Sequence, residues 1–196
     1  MKFEPFKRLE FYKFNCKPNI EQYDNIINWC RENSVITTED STMETDYHFM
    51  MLNDYENPAW KELEEKRGKS LCEFVDVCCG NSIRKIIEDT GHTGCQITSI
   101  WTQISTMLSW HEPHSHGSNE YGTRWSFVYY VDVDKDSGHK GTMYWNPGDS
   151  HQQEQAFIAE CITGNMYVWP SAILHCQPPS GNKKERKIIS GNLVLC

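Results

Sequence analysis

The sequence predicts an α+β protein in which a double-stranded β-helix, or jelly-roll barrel, carries N-terminal helices packed on one of its sheets. Two observations predict this arrangement. Helical signals dominate residues 1–95, whereas residues 96–196 hold short β-branched and aromatic runs separated by Gly, Asp, Asn and Pro. Helices followed by many short strands are typical of two sheets with helices outside. The 196 residues suit a single domain, with 1–95 as a mainly helical flanking part and 96–196 as the jelly-roll core.

The helices are predicted from apolar spacing and from proline. Apolar residues recur at the spacing of one helix face between Ile20 and Cys30. Pro58 stands where the first turn of a helix tolerates proline, ahead of Ala-Trp-Lys-Glu-Leu. A further helix is predicted over Ser70 to Thr90, interrupted or bent around Gly80 because glycine weakens a helix interior.

The strands of the barrel are predicted from five segments of the second half. These segments are QITSIWTQI, RWSFVYYVDV, GTMYWNP, GNMYVWPS and RKIISGNLVL. Each is rich in β-branched or aromatic residues and ends at a turn-forming residue. Aromatic residues within them, such as Tyr129 and Trp169, are candidate walls of a pocket or members of the core.

Composition disfavours several classes of partner. The net charge of −8 comes from 27 acidic and 19 basic residues, which disfavours nucleic acid because its binding needs a basic face. No apolar run approaches the roughly 20 residues that span a bilayer, so no membrane is expected. The N-terminus lacks the apolar region of a secretory signal, which favours a cytoplasmic location. In that compartment the nine cysteines, which form no CxxC pair, are expected to be reduced thiols.

Three of the eight histidines lie within the segment WHEPHSHGSNEY. His114 and His116 point to one face if the segment is a strand, and Glu112 has the same parity. His111 points away in a regular strand, but Pro113 disturbs that regularity. The His-x-His pair is therefore either half of a metal site or a pair of exposed loop histidines.

A third histidine and an arginine extend this pattern. His175 closes the segment GNMYVWPSAILH, and a close pair with one distant ligand forms a facial set that leaves coordination positions open. Arg186 follows eleven positions later (186 − 175 = 11), and its guanidinium suits a carboxylate. Arg186, Ile188, Ser190 and Asn192 share one strand face, which favours a polar pocket.

These segments resemble the iron(II)- and 2-oxoglutarate-dependent oxygenases, most closely small phage and bacterial members and the prolyl-hydroxylase branch. That family carries His-x-Asp, a Tyr-Tyr strand, a Gly-led strand ending in a distal His, and a strand that starts with Arg. The counterparts here are PHSHG, SFVYYVD, GNMYVWPSAILH and ERKIISGNL. The third is the most specific match. The resemblance covers about residues 100–196 and implies the cupin-like form of the jelly roll.

The resemblance also implies the roles of single residues. It assigns three iron(II) ligands, which are His114, His116 and His175. Arg186 and Tyr130 would bind the distal carboxylate of 2-oxoglutarate, and no catalytic residue beyond the metal ligands is implied. His116 stands where the family usually has Asp, so the site lacks an anionic ligand. Glu112 remains a reserve carboxylate on the same face.

The function implied is an iron(II)- and 2-oxoglutarate-dependent dioxygenase that uses O2 to hydroxylate a C–H bond of a small molecule or a protein side chain. Two alternatives stay open. A three-histidine cupin dioxygenase would act without 2-oxoglutarate and would give Arg186 no role. A non-catalytic jelly-roll binding module would show no turnover with any metal.

Overall fold

The computed structural model describes residues 1–6, 9–39, 43–51, 57–106, 109–116, 124–136, 138–145, 156–179 and 184–196. Within them the strands are β1 (Lys2–Phe6), β2 (Leu9–Asn15), β3 (Thr37–Glu39), β4 (Met43–Thr45), β5 (Cys95–Ser105), β6 (His111–His114), β7 (Arg124–Val133), β8 (Met143–Trp145), β9 (Ala156–Ile158), β10 (Asn165–Pro170), β11 (His175–Gln177) and β12 (Arg186–Leu195). The helices are α1 (Ile20–Glu32), α2 (Tyr47–Met51) and α3 (Pro58–Thr90).

Two antiparallel sheets form the double-stranded β-helix, which confirms the predicted fold class. The large sheet has the order β1-β2-β10-β7-β12-β5-β4-β3, and the small sheet has the order β6-β11-β8-β9. All five segments predicted to be strands are strands, as β5, β7, β8, β10 and β12. The last two residues of GTMYWNP, 146 and 147, lie outside the described residues.

Helix α3 is one continuous helix of 33 residues, so the predicted interruption at Gly80 is wrong. The side chain of Asn57 caps its start by accepting from two backbone N–H groups, and Pro58 occupies the first turn. Gly91 ends the helix with a φ of 72°, a left-handed conformation that glycine adopts without steric cost. Gly80 itself is buried, and its cost of about 1 kcal/mol in a helix interior is offset by the packing of the surrounding turns.

The large sheet separates two hydrophobic layers. Along β7, Tyr129 and Val131 belong to the layer against α1 and α3, whereas Val128 and Tyr130 belong to the layer between the sheets. The ring of Tyr129 lies 6.3 Å from that of Phe74 in α3, centroid to centroid. Of the two interpretations offered for Tyr129, pocket wall or core, the structure supports the core, because alternate residues of a strand face opposite sides.

The part of the chain before residue 95 also contributes strands, which the sequence patterns did not indicate. Strand β2 pairs with β10, and β4 pairs with β5, so these strands extend both edges of the large sheet. A buried ion pair between Arg67 of α3 and Asp46, 2.7 Å apart, fixes α3 against this sheet. Asp46 also accepts the backbone N–H of Thr102, and Arg67 also donates to the carbonyl of Ile100. No helix in the described part of the chain has both the length and the apolar character to cross a membrane.

Candidate metal centre

Three histidines meet where the small sheet faces the large one. His114 ends β6 and His175 begins β11, and the two residues are register partners in this antiparallel pair. His116 lies two residues beyond β6, and its backbone N–H donates to the carbonyl of Ser171 at 3.0 Å. One ring nitrogen from each histidine lies within 4.8 Å of the other two. The structure thus brings together the three residues expected from the sequence to bind iron.

Each imidazole is oriented through its Nδ1 atom. The acceptors are the carbonyl of Glu112 for His114 at 2.8 Å, the carbonyl of Ile173 for His175 at 2.9 Å, and Oδ1 of Asn192 for His116 at 2.6 Å. A neutral imidazole carries one proton, and an acceptor at Nδ1 places that proton there. Nε2 then keeps its lone pair, which is the form that ligates a metal.

Burial keeps the rings of His175 and His116 neutral. The His175 side chain is 5% exposed, and burial lowers its pKa to about 3. Burial also lowers the pKa of His116, against the hydrogen bond to Asn192. Metal binding requires unprotonated imidazole, so these two residues need release no proton at neutral pH. The donor set fits a divalent transition metal such as iron(II).

Two spaces adjoin the histidines. The inner cavity lies between the sheets and is lined by the three histidines together with Trp101, Gln103, Val128, Thr142, Trp169 and Ile188. The outer groove lies on the other side of His114 and His116 and is lined by Tyr47, Met50, Ser99, Trp101, His111 and Glu112. The Trp169 ring contacts the His175 ring edge to face at 5.0 Å, as expected of a pocket wall. Trp101, which separates the two spaces, was not singled out in the sequence.

Arg186 is almost completely buried at the start of β12, on the same strand face as Ile188. Its Nη2 donates to Oγ of Ser105 at 2.8 Å, and its Nη1 donates to the carbonyl of Lys140 at 3.2 Å. Its Nε has no hydrogen-bond partner among the described residues, and no carboxylate of those residues pairs with it. Burial lowers the pKa of Arg186 below its usual value, since a buried cation without a counter-anion is costly.

Tyr130 and this arginine contact the same short segment, Tyr130 at Thr142 and Arg186 at Lys140. Tyr130 is fully buried, and its hydroxyl accepts the backbone N–H of Thr142 at 2.8 Å. Thr142 lines the inner cavity, so Tyr130 stands behind the cavity wall. Burial raises the pKa of Tyr130, so the phenol stays protonated and retains a proton to donate.

Glu112 is exposed at the edge of the outer groove, and the group of ring nitrogens that lie together does not include its carboxylate. Sequence reasoning placed Asn192 on the pocket face of its strand but assigned no contact with His116 to Asn192, Ser126 or Ser171. The hydroxyl of Ser126 lies 3.0 Å from Nδ1 of His116 and 2.8 Å from the hydroxyl of Ser171. The Pro-Ser pair in GNMYVWPSAILH was the one available signal for Ser171, and no local pattern marked Ser126.

This chain shares its fold with solved prolyl hydroxylases and with an alpha-ketoglutarate-dependent epimerase. A prolyl-4-hydroxylase of Pseudomonas putida superposes with a TM-score of 0.52 at 11% identity, over 94% of this chain and 91% of the other. A prolyl hydroxylase of Trichoplax adhaerens superposes with a TM-score of 0.55 at 14% identity, over 94% of this chain and 82% of the other. It was solved in complex with a peptide fragment of the oxygen degradation domain of hypoxia inducible factor. SnoN, a non-heme alpha-ketoglutarate-dependent epimerase of nogalamycin biosynthesis, superposes with a TM-score of 0.55 at 9% identity, over 94% of this chain and 76% of the other.

The likeness confirms the resemblance seen in the sequence at the level of the fold. No protein-family model matches the chain, and no curated protein sequence matches it either. At 9–14% identity the solved structures establish architecture alone.

Proposed function

We propose that this protein is an iron(II)- and 2-oxoglutarate-dependent dioxygenase that hydroxylates a C–H bond of a small molecule or a protein side chain. The observation that carries the proposal is the cluster of His114, His116 and His175, each held through Nδ1 so that Nε2 is free. Three imidazoles on one side of an ion leave positions for a chelating cosubstrate and for O2.

The buried arginine supports 2-oxoglutarate as the cosubstrate. Arg186 lacks a carboxylate partner among the described residues, so an incoming carboxylate would neutralise a charge that the fold leaves uncompensated. Tyr130, whose hydroxyl is protonated, contacts the same short segment. Ile188, two residues along the same strand face, lines the inner cavity. Apolar walls with polar groups at one end suit a short dicarboxylate.

When bound, iron(II) with 2-oxoglutarate and O2 supplies the oxidising power for C–H hydroxylation. The residues of the chain orient and shield this chemistry. Arg186 and Tyr130 would hold the distal carboxylate, with the 2-oxo acid end towards the histidines. Val128, Trp169 and Ile188 exclude water from the inner cavity. The outer groove, which reaches His114 and His116 from the opposite side, is the place for the substrate.

One observation favours a second candidate. His116 makes the cluster a three-histidine site without a carboxylate, as in cupin dioxygenases that use no 2-oxoglutarate. Such an enzyme would leave Arg186 without a ligand, whereas the burial of this arginine away from every carboxylate of the described residues favours the cosubstrate-dependent reaction.

The test is 2-oxoglutarate turnover by the full-length protein loaded with iron(II) under controlled oxygen. We expect succinate to form slowly without substrate, and His175→Ala to abolish its formation. His111→Ala is the matched control, because His111 lies outside the cluster. A wild-type protein that binds iron but neither binds 2-oxoglutarate nor forms succinate would overturn the proposal. Oxygen consumption by that protein without 2-oxoglutarate would favour the cupin alternative.

A further inference from the structure

A row of three polar side chains crosses the large sheet next to His116. Asn192 in β12 pairs in register with Ser126 in β7 on one side and with Ser99 in β5 on the other. Leu193, the next residue of β12, belongs to the buried layer against the helices. Because strand residues alternate between faces, the row lies on the face that the histidines occupy.

Hydrogen bonds connect this row to the imidazole of His116. Oδ1 of Asn192 accepts from Nδ1 of His116 at 2.6 Å and lies 2.7 Å from the hydroxyl of Ser126. Nδ2 of the same amide donates to Oγ of Ser99 at 2.8 Å. Each end of the amide therefore has a partner, and Asn192 joins His116 to two strands of the large sheet.

The orientation of this amide decides which ring nitrogen His116 offers to a metal. With Oδ1 towards the ring, Nδ1 carries the proton and Nε2 keeps the lone pair. With the amide reversed, Nδ2 would face the ring, Nδ1 would have to accept, and the proton would move to Nε2. That tautomer cannot ligate a metal through Nε2. In the observed orientation both ends of the amide are held, because Oδ1 accepts from His116 while Nδ2 donates to Ser99.

The other two ligands do not depend on a side chain in this way. Nδ1 of His114 faces the backbone carbonyl of Glu112, and Nδ1 of His175 faces that of Ile173. A carbonyl oxygen can only accept a hydrogen bond, whereas an amide side chain can also turn its donor towards the ring. His116 is the residue that stands where the related oxygenases usually have an aspartate, and it is the one ligand of the three held by a side-chain amide.

We propose that Asn192 is the positioning residue that makes His116 a metal ligand, by fixing its tautomer and the direction of its ring. The inference rests on the proposed metal site. It assigns to Asn192, and more weakly to Ser99, a role in metal affinity although neither side chain is a metal ligand. Loss of a side chain that hydrogen-bonds to a metal-ligating histidine typically lowers metal affinity by about 10–100-fold.

The test is titration of the full-length, metal-free protein with manganese(II) and with zinc(II) by calorimetry. We expect Asn192→Ala to weaken binding of both metals by about 10–100-fold. Asn192→Asp keeps an acceptor at the same place and adds a negative charge, so its affinity should be at least that of the wild type. Ser99→Ala should weaken binding less than Asn192→Ala. Thr98→Ala is its matched control, because Thr98 is exposed and its hydroxyl donates to the backbone carbonyl of Asn192 and to no other described residue.

A second readout separates positioning from general damage to the strand. In zinc-loaded protein with 15N-labelled histidine, the His116 ring should carry its proton on Nδ1 in the wild type and in Asn192→Asp. In Asn192→Ala a mixture of tautomers is expected. Wild-type affinity in Asn192→Ala, failure of Asn192→Asp to recover, or equal losses in Thr98→Ala and Ser99→Ala would each overturn the inference. If Asn192→Ala does not fold, the metal affinities of Asn192→Asp, Ser99→Ala and Thr98→Ala still test the inference.

The same titrations distinguish failure of this inference from failure of the proposed metal site. Loss of binding in His175→Ala together with wild-type affinity in Asn192→Ala overturns the role of Asn192 alone. A wild-type protein that binds neither metal, or a His175→Ala variant that binds as tightly as wild type, overturns the metal site and the inference with it.

Discussion

His114 and His175 lie directly opposite each other in β6 and β11, and their ring centroids are 4.4 Å apart. Directly opposed residues of an antiparallel pair project from the same face with neighbouring Cβ atoms. The register of two short strands therefore sets the separation of two ligands. A slip of one residue would turn one imidazole to the other face of the sheet.

This relationship predicts that His114→Ala and His175→Ala each abolish metal binding. Removal of a ligand should cost more than the about 10–100-fold typical of an outer-shell partner. The measurement is metal content of protein prepared without oxygen and loaded with iron(II). His111→Ala should keep wild-type occupancy, although its ring lies 4.3 Å from that of His114. Unchanged iron content in both His114→Ala and His175→Ala would contradict the assignment of these histidines as ligands.

Replacement of His116 by aspartate should change the charge balance of the site. Three neutral imidazoles give a divalent ion no negative charge, so in the wild type the cosubstrate dianion has to provide it. We expect His116→Asp to raise manganese(II) affinity without 2-oxoglutarate by about tenfold, which corresponds to about 1.4 kcal/mol. The gain in metal affinity on adding 2-oxoglutarate should shrink accordingly.

Glu112→Ala is the companion variant in that experiment. Its carboxylate is exposed and outside the cluster, so metal affinity should not change. A result in which Glu112→Ala loses metal while His116→Asp gains nothing would identify Glu112 as the carboxylate ligand in place of His116.

Loss of the buried arginine should weaken cosubstrate binding. A charge-assisted pair contributes roughly 1.5–3 kcal/mol, so Arg186→Ala should reduce 2-oxoglutarate affinity by about 10–100-fold. Arg186→Lys should recover only part, because an ammonium lacks the planar fork. Tyr130→Phe should cost less, since it removes one neutral hydroxyl. Calorimetry on manganese-loaded protein measures all three.

Lys187→Ala controls for the loss of a positive charge on the same strand. Lys187 pairs with Asp24 and Asp132 on the opposite face of β12, so its removal should leave 2-oxoglutarate affinity unchanged. Wild-type affinity in a folded Arg186→Ala variant would argue for the cupin alternative.

The metal-free protein should lose stability as the pH falls from about 6.5 to about 3. Burial lowers the pKa of His175 to about 3 in the folded chain, whereas an unfolded histidine titrates near about 6.5. Between these values the unfolded state binds more protons, so the free energy of unfolding decreases with falling pH. Between pH 7 and pH 5 the free energy of unfolding should decrease by about 2 kcal/mol more in the wild type than in His175→Gln. Urea denaturation measures this quantity at each pH, and an equal decrease in the two proteins would contradict the prediction.

The later strands could be predicted from the sequence because both sheet faces are apolar or aromatic there. Strands β7 and β12 coincide with the segments RWSFVYYVDV and RKIISGNLVL. Strands β1 to β4 could not be predicted in this way. Thr37–Glu39 and Met43–Thr45 have three residues each, too few for a period to show, and they are strands because β5 offers an edge.

The sequence predicted which histidines lie together at the candidate site, but it did not predict the side chains that hydrogen-bond to them. The His-x-His spacing and the Pro-Ser signature are local, so a single segment can carry each of them. The contacts of His116 with Ser126 and Asn192 join parts of the chain that are 10 and 76 positions away. They depend on the register of β5, β12 and β7 at once, which no one segment encodes. The shared face of Ser190 and Asn192 was the only partial signal.

The division of the ligands between the sheets has a consequence for how the barrel opens. His114 and His175 belong to the small sheet, whereas His116 is held by residues of the large one. An ion bound to all three histidines would connect the small sheet to the large sheet. Binding to the folded chain alone adds about 2.7 kcal/mol at a metal concentration of about a hundred times Kd. That free energy would resist separation of the layers, so amide hydrogen exchange in β11 and β12 should slow together when metal is added.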